Sequence, residues 1–366
     1  MSHPVLKIAL CCIAHPFCPA AQSAIRRELY ETYELEVLGA KSRFATLETI
    51  EAALLFAQRH PYSITPASDS LASQLETANI VSAAHDLGLN LDPGDWDMPE
   101  ATKRRRRRIW WALFIHDKWS ALALGRPSLI HDDQYSVQLI GPSDFCSEEE
   151  DAPPFEIRHG VDVFVAMALL THTLSSVISA FYTIRGGQRS LHQSADELYS
   201  VCTKIERELD HWRQVYLAPV MADHGFPDVT GSVELAASTV AIMLYRAVLP
   251  KLTRLNTPVS DIRRRAFDAT SQIIRLLQTL SASHTSVLWW PVPHANLSIA
   301  GSYMIHMFAS ARDGEDGTQW HAQLDTFRQL LETQGAGFAV TRFASVRLDI
   351  LAGNTTSSYI DTSERS

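Results

Sequence analysis

The acidic pair Asp132-Asp133 is the part of this chain closest in type to a metal-binding site. Adjacent carboxylates on a helical protein can hold Mg²⁺, which prefers oxygen ligands and keeps a nearly octahedral shell. A complete aspartate-rich motif carries a third carboxylate, but Gln134, Tyr135 and Ser136 follow the pair here. The sequence therefore predicts no metal site at this position.

The cysteines and the nucleophilic side chains do not form a site either. Five cysteines are scattered along the chain, whereas a binuclear zinc cluster takes six closely spaced ones. They are Cys11, Cys12, Cys18, Cys146 and Cys202. The sequence has no G-x-S-x-G elbow, phosphate loop or H-E-x-x-H motif. We therefore predict no catalytic residue, no metal, no cofactor, and a reducing compartment.

The strongest charge pattern is a run of six cations. It consists of Lys103, Arg104, Arg105, Arg106, Arg107 and Arg108. The run lies at the start of a predicted helix, where the helix dipole disfavours cations, so it needs partners. Internal pairing is favoured, with Asp95, Asp97, Glu100 and the acidic run 148–151 as candidates. The alternatives are nuclear import or an acidic partner for Lys103 to Arg106, and contact with DNA phosphates.

A tryptophan-rich stretch follows the cations directly. Trp110, Trp111 and Trp119 stand among aliphatic residues, and the predicted helix is apolar nearly all round. Such a helix is normally buried among other helices. We therefore predict that the tryptophans are core residues and not a platform on which bases stack.

Asp117 interrupts this apolar helix and must find a cation or hydrogen-bond donors if it is buried. The helix is expected to end at Gly125, which allows a left-handed turn, and Pro127 prevents it from resuming. Arg126 lies between them and is the expected partner of Asp117. Together they would form a structural clamp.

The apolar spacing predicts an all-α protein of about ten helices in a single large domain, with no sheet. The predicted helices cover about residues 44–59, 70–87, 101–124, 158–184, 194–217, 231–254, 259–281, 295–311, 318–333 and 340–351. The pair Gly186-Gly187 is expected to separate two of them, and Ser194 to cap the next. We expect a polar linker at about 141–156 and a disordered tail at 353–366.

Composition restricts the classes of function. A chain of 366 residues is long enough to bury a core. The net charge of −9 argues against nonspecific affinity for nucleic acid by the chain as a whole. No continuous apolar run reaches the roughly 18 residues of a membrane helix, so no membrane association is predicted.

Residues 103–135 resemble the signature of the fungal-specific transcription factor regulatory domain, the middle homology region. That signature has an Arg-rich helix start, a Trp pair, a central Asp, a Gly-Arg-Pro stop and a following acidic residue. The matching residues are Arg107, Arg108, Trp110, Trp111, Asp117, Gly125, Arg126, Pro127, Asp132 and Asp133. The phrase Asp117-Lys118-Trp119 is similar to the nitrogen-catabolism co-activator branch.

The resemblance implies a nuclear regulatory domain at residues 21–352, preceded by a short lead at 1–20. It implies other transcription factors or co-regulators as partners, a dimer, and a small-molecule inducer. The family usually carries an upstream zinc cluster, which this sequence does not contain, so DNA would be contacted only indirectly or weakly. We hypothesise a transcriptional co-regulator and not an enzyme. The alternatives are an all-α enzyme of terpenoid-cyclase type and a truncated version of a zinc-cluster factor.

Overall fold

The chain is built from helices. The computed structural model describes residues 4–14, 28, 31–33, 45–59, 66–147, 152–222, 228–290, 292–311 and 315–350. These residues form helices, turns and irregular segments, and no strand occurs among them, which confirms the all-α prediction. The predicted tail and the acidic run 148–151 lie outside the described residues.

The helices are numbered here in chain order. The first five are α1 (Pro4–Ala14), α2 (Leu47–Ala57), α3 (Pro66–Asp86), α4 (Glu100–Leu124) and α5 (Phe155–Val177). The next five are α6 (Ile184–His192), α7 (Ala195–Trp212), α8 (Ala218–Ala222), α9 (Thr230–Arg254) and α10 (Ser260–Thr279). The last four are α11 (Ala282–Thr285), α12 (Pro293–Ser310), α13 (Glu315–Gly335) and α14 (339–350). A 3-10 turn spans Pro142–Phe145, and π-helical turns span Ile178–Tyr182 and Arg213–Leu217.

The segment predicted as a lead contains a helix. Along α1, Val5, Ala9 and Cys12 are buried in a cluster with Phe56 of α2. Burial also raises the pKa of the Cys12 thiol to about 11, so this cysteine behaves as a small apolar residue. The N-terminal residues therefore contribute to the hydrophobic core.

The chain divides into two compact units, Met1–His172 and Thr173–Ser366. In the first unit α4 is central, because α2 and α3 both pack against it and α1 packs on α2. In the second unit α9 is central and packs against α7, α10 and α12. The assignment of residues 21–352 to one functional domain stays a prediction.

Two helical spans have the length and hydropathy of a membrane helix, Phe155–Tyr182 and Thr230–Arg254. The sequence prediction counted only continuous apolar runs, and it missed both spans because polar residues such as His172 and Arg246 interrupt them. The second span is mostly buried among the other helices of its unit. A helix at the centre of a helical core is apolar all round for the same reason as a membrane helix, since it faces no water.

The prediction that Gly186-Gly187 separates two helices is wrong, because both glycines lie inside α6. The preceding helix ends instead in the π-helical turn. The hydroxyl of Thr183 caps α6 by accepting the N–H of Gly186 at 2.9 Å. A Cβ atom on Gly186 would lie 2.3 Å from the Ser179 carbonyl oxygen, so close packing requires a glycine there.

Candidate functional site

The three tryptophans of α4 are core residues, as predicted. Trp110, Trp111 and Trp119 are fully buried. The indole N–H of Trp111 donates to the carbonyl of Gln138 at 2.8 Å, and that of Trp119 to the hydroxyl of Thr171 at 2.8 Å. Base stacking needs an exposed ring face, so these tryptophans do not form a nucleic-acid platform.

The carboxylate of Asp117 is buried and holds the turn that follows α4. It accepts hydrogen bonds from the hydroxyl of Ser128 at 2.6 Å and from the backbone N–H groups of Leu129 at 2.8 Å and Ile130 at 3.1 Å. The buried ammonium of Lys118 donates to the Ser128 hydroxyl at 2.9 Å and to the Ile130 carbonyl at 2.5 Å. This network, the Asp117 clamp, fastens the turn to the helix.

The predicted partner of Asp117 is wrong. Arg126 is exposed, and backbone donors of the turn reach Asp117 in its place. Gly125 adopts φ 63°, the left-handed conformation that ends the helix, as predicted. After Pro127 the chain turns back toward α4, so that the N–H groups of Leu129 and Ile130 point at the carboxylate of Asp117. The clamp is therefore structural, as expected, but it uses backbone donors and a lysine.

Asp132 and Asp133 are both exposed, and Asp132 lies at the edge of this clamp. One oxygen of Asp132 is 3.5 Å from the Lys118 ammonium. Within the described ranges, no group of three His, Cys, Asp or Glu side chains is placed to hold a metal ion. Nothing in the geometry of the pair favours the cyclase alternative.

The first two cations of the run bond to backbone carbonyls. The ammonium of Lys103 donates to the carbonyl of Gly94 at 2.7 Å. The guanidinium of Arg104 donates to the carbonyls of Cys146 at 3.1 Å and Ser147 at 3.0 Å. The start of α4 is thereby tied to the loop before it and to the segment after the 3-10 turn.

Arg105 joins α4 to α2 through two carboxylates. Its guanidinium donates to Glu51 at 2.6 Å and 2.8 Å and to Glu48 at 2.8 Å. Hydrogen bonding to Glu51, together with that to Glu48, raises the pKa of Arg105. The hydrogen bond from Arg105 also lowers the pKa of Glu48, so Arg105 and Glu48 both stay charged.

Arg106 is the most deeply buried cation of the run, with 8% of its surface exposed. It donates to the carbonyl of Leu87 at 2.5 Å, and its guanidinium lies 4.7 Å from the Trp96 ring centroid. Burial lowers the pKa of Arg106. The residue fixes the C-terminal end of α3, since Leu87 directly follows that helix.

Arg107 and Arg108 bind the segment that contains the 3-10 turn. Arg107 lies 3.3 Å from the carboxylate of Asp92 and 3.4 Å from that of Asp144. Arg108 donates to the backbone carbonyl of Asp144 at 2.7 Å, and its guanidinium lies 5.5 Å from the Phe145 ring centroid. Burial lowers the pKa of Arg108.

The internal pairing of the cation run is confirmed, although most of its partners were not foreseen. Glu100 was expected, and it lies 3.6 Å from Arg104 and 3.7 Å from Arg107. The other acidic partners stand 15 to 57 residues away in sequence, beyond the reach of local pattern analysis. They are Glu48, Glu51, Asp92 and Asp144. The role of Lys103 to Arg106 in import or partner contact stays a prediction.

A pocket with a cavity volume of about 10 Å³ lies between α3, α4 and the turn after α4. Its lining includes Gln74, Thr77, Asp117, Ser120, Arg126 and Leu129. Ligand pockets for drug-sized molecules usually measure about 300–1,000 Å³. This space is too small to assign an inducer to it, and a small-molecule inducer stays a prediction.

The sequence matches the family described as the fungal specific transcription factor domain over residues 2–214. The match covers more than half of the 366 residues and includes α4 with its cations and clamp. No solved structure matches the chain.

Curated relatives are fungal regulators of transcription. An uncharacterised transcriptional regulatory protein of Schizosaccharomyces pombe is 26% identical over 303 residues, covering 81% of this chain and 43% of the relative. The transcriptional activator protein DAL81 of Saccharomyces cerevisiae is 23% identical over 282 residues, covering 65% and 29%. Cutinase transcription factor 1 alpha of Fusarium vanettenii is 32% identical over 203 residues, covering 53% and 21%. The chain thus spans less than half the length of these relatives.

Proposed function

The chain belongs to the fungal specific transcription factor domain family, and we propose that it regulates transcription through contacts of its helical surface with partner proteins. The observation that carries this proposal is the family match over residues 2–214. Arg106 and the Asp117 clamp are consistent with it, because both hold the fold together, so partners would be recognised by other, exposed side chains. The partners would be other transcription factors or co-regulators, and a second copy of the chain is a further candidate.

We propose that these 366 residues reach DNA indirectly. The printed sequence holds five scattered cysteines, fewer than a binuclear zinc cluster takes. Its net charge of −9 also disfavours unspecific binding to DNA phosphates. Sequencing the transcript through its 5′ end would show whether an upstream exon encodes a zinc cluster. If one does, the chain is the regulatory part of a DNA-binding factor; if none does, a partner protein must supply the contact with DNA.

We propose that the protein acts in the nucleus, as a regulator of transcription would. Lys103 and Arg104 are suited to test the import role of the cation run, because both bond mainly to backbone carbonyls at its outer end. A fluorescent fusion that carries Lys103→Gln with Arg104→Gln should lose nuclear accumulation if these cations are read by an import receptor. Nuclear accumulation unchanged from the wild type would show that the run is not the import signal.

The proposed regulatory role is tested by tethering the chain to a heterologous DNA-binding domain in a yeast reporter strain. We expect reporter expression to differ from that given by the DNA-binding domain alone, on a silent or on an active promoter. A variant with Asp132→Asn and Asp133→Asn is the matched control. It should regulate like the wild type, whereas an aspartate-dependent cyclase would lose its activity. A folded, nuclear fusion that changes neither promoter would contradict the proposal.

A further inference from the structure

Helix α6 exposes an apolar strip on the surface of the second unit. Ile184 is 81% exposed and Leu191 is 49% exposed. They are seven residues apart and therefore lie on the same side of the helix. The opposite side is anchored, because Gly186 and Ser190 are buried. The buried side of α6 thus fixes the helix in place, while the apolar side chains of Ile184 and Leu191 on its other side face solvent.

A basic strip runs beside the apolar one. Arg185 and Arg189 are exposed and stand one turn apart on the helix. Among the described residues, no carboxylate forms an ion pair with either guanidinium. At the end of α6, Arg254 donates to the carbonyl of Leu191 at 3.0 Å, and the neighbouring Leu255 is 41% exposed. Exposed cations therefore lie beside exposed apolar side chains, on a chain whose net charge is −9.

Gly187 leaves a notch along this surface. It lies between Ile184 and Leu191 in sequence and falls on the same side of the helix. A Cβ atom there would meet its nearest heavy atom, the Phe181 carbonyl oxygen, at an ordinary 3.5 Å. Unlike Gly186, this glycine is not required by the packing of the second unit. A glycine inside a helix is destabilising, so its presence here needs another reason. The notch allows a partner side chain to approach the helix backbone.

We propose that α6 binds an acidic amphipathic helix of a partner protein. The partner's apolar side chains would cover Ile184 and Leu191 and enter the notch at Gly187, and its carboxylates would pair with Arg185 and Arg189. Charge complementarity selects this occupant, because a purely apolar helix would leave both arginines unpaired, while DNA or a phosphate would not use the apolar strip. The inference rests on the proposed function, since it gives the regulatory domain the chemistry of one partner.

The binding test uses the full chain and a fluorescent, synthetic helical peptide. The peptide carries Leu at i, i+3, i+4 and i+7 with Asp and Glu elsewhere, and a scrambled peptide of the same composition is its control. Fluorescence anisotropy should show saturable binding of the patterned peptide alone. Arg185→Glu with Arg189→Glu, and separately Ile184→Ser with Leu191→Ser, should each weaken binding by about tenfold or more.

Matched variants separate a binding role from a structural one. Arg264→Glu changes an arginine on α10 whose side chain is 72% exposed, and it should leave binding unchanged. Gly187→Ala should keep the melting temperature at or above that of the wild type and weaken peptide binding. Gly186→Ala should lower the melting temperature, because its Cβ atom would collide with the Ser179 carbonyl.

Three results would overturn the inference. The first is equal binding of the patterned and scrambled peptides, and the second is equal binding of the patterned peptide to all variants. The third is binding of duplex DNA or phosphatidylserine vesicles that depends on Arg185 and Arg189 but not on Ile184 and Leu191. The tethered reporter is measured separately, so regulation without peptide binding would reject this surface and leave the proposed function standing.

Discussion

The cations of α4 and those of α6 are used in opposite ways. Arg105 and Arg107 meet carboxylates of other segments, and Arg106 is buried against a backbone carbonyl. Arg185 and Arg189 belong to a much weaker sequence pattern, yet both face solvent. The comparison teaches that the length of a cation run does not indicate a binding surface. What decides is whether acids elsewhere in the fold are placed to meet it.

The largest effect is expected at the Asp117 clamp. Asp117→Ala would leave three donors of the turn without their acceptor, namely the Ser128 hydroxyl and the N–H groups of Leu129 and Ile130. Leaving a buried donor without its acceptor typically costs about 1–3 kcal/mol for each donor. Denaturant unfolding of the purified chain measures this loss. Asp132→Asn is the control, and its exposed pair with Lys118 should contribute less than about 1 kcal/mol.

The pH dependence of stability tests the surroundings of His116 on α4. His116 lies with Nε2 3.1 Å from the Thr77 hydroxyl, and burial, followed by the charge of Arg59, lowers its pKa from 6.5 to about 4. Between these values the unfolded chain binds more protons, so the free energy of unfolding should fall as pH drops from 6.5 toward 4. The slope contributed by one such group is at most about 1.4 kcal/mol per pH unit.

His116→Gln provides the control for this pH profile. The unfolding free energy of the wild type minus that of the variant should decrease as pH falls across the same window. A difference that is constant with pH would show that His116 titrates alike in the folded and unfolded chain, and so contradict its burial.

Arg106 and Arg105 sharpen the comparison within the run itself. Arg106→Ala removes a buried charged donor to the Leu87 carbonyl and should cost roughly 2 kcal/mol. Arg105→Ala removes an ion pair whose partners are all about one-quarter to one-third exposed, and should cost roughly 1 kcal/mol. Unfolding curves of the two variants, recorded side by side, check this order. Equal, negligible losses would mean that the run is not part of the fold.

The smallest effect on stability is expected at α6. Arg185→Glu with Arg189→Glu changes two exposed side chains that have no ion-pair partner among the described residues, so unfolding should shift by less than about 0.5 kcal/mol. The same double variant should lose the patterned peptide. A destabilisation as large as that of Arg106→Ala would show that these arginines hold the fold together, as those of α4 do.

Local patterns predicted the helices well where the spacing of apolar residues agreed with the capping and terminating residues at the helix ends. The end of α4 followed from Gly125, which adopts the expected left-handed conformation. The start of α7 followed from Ser194, whose hydroxyl accepts the Glu197 N–H at 3.3 Å while the Glu197 carboxylate accepts the Ser194 N–H at 2.7 Å. Such signals act within a few residues, so the sequence contains them in readable form.

Other features depend on contacts that a local pattern does not contain. The acids that meet the cation run are far away in sequence, and the partner of Asp117 is a set of backbone donors that carries no residue signature. Helix α6 was missed because two adjacent glycines usually mark a break. The close approach of the Ser179 carbonyl makes one of them necessary. Tertiary packing overrode local propensity at these places.

The most direct test of the account compares two double charge reversals in the tethered reporter strain. Arg105→Glu with Arg107→Glu reverses inward cations, and Arg185→Glu with Arg189→Glu reverses outward ones. Reporter output is divided by the amount of folded fusion protein, measured by protease resistance. We predict that the first pair removes folded protein, whereas the second keeps it and lowers regulation per folded molecule. Normal folding of the first pair together with unchanged regulation by the second would contradict the account.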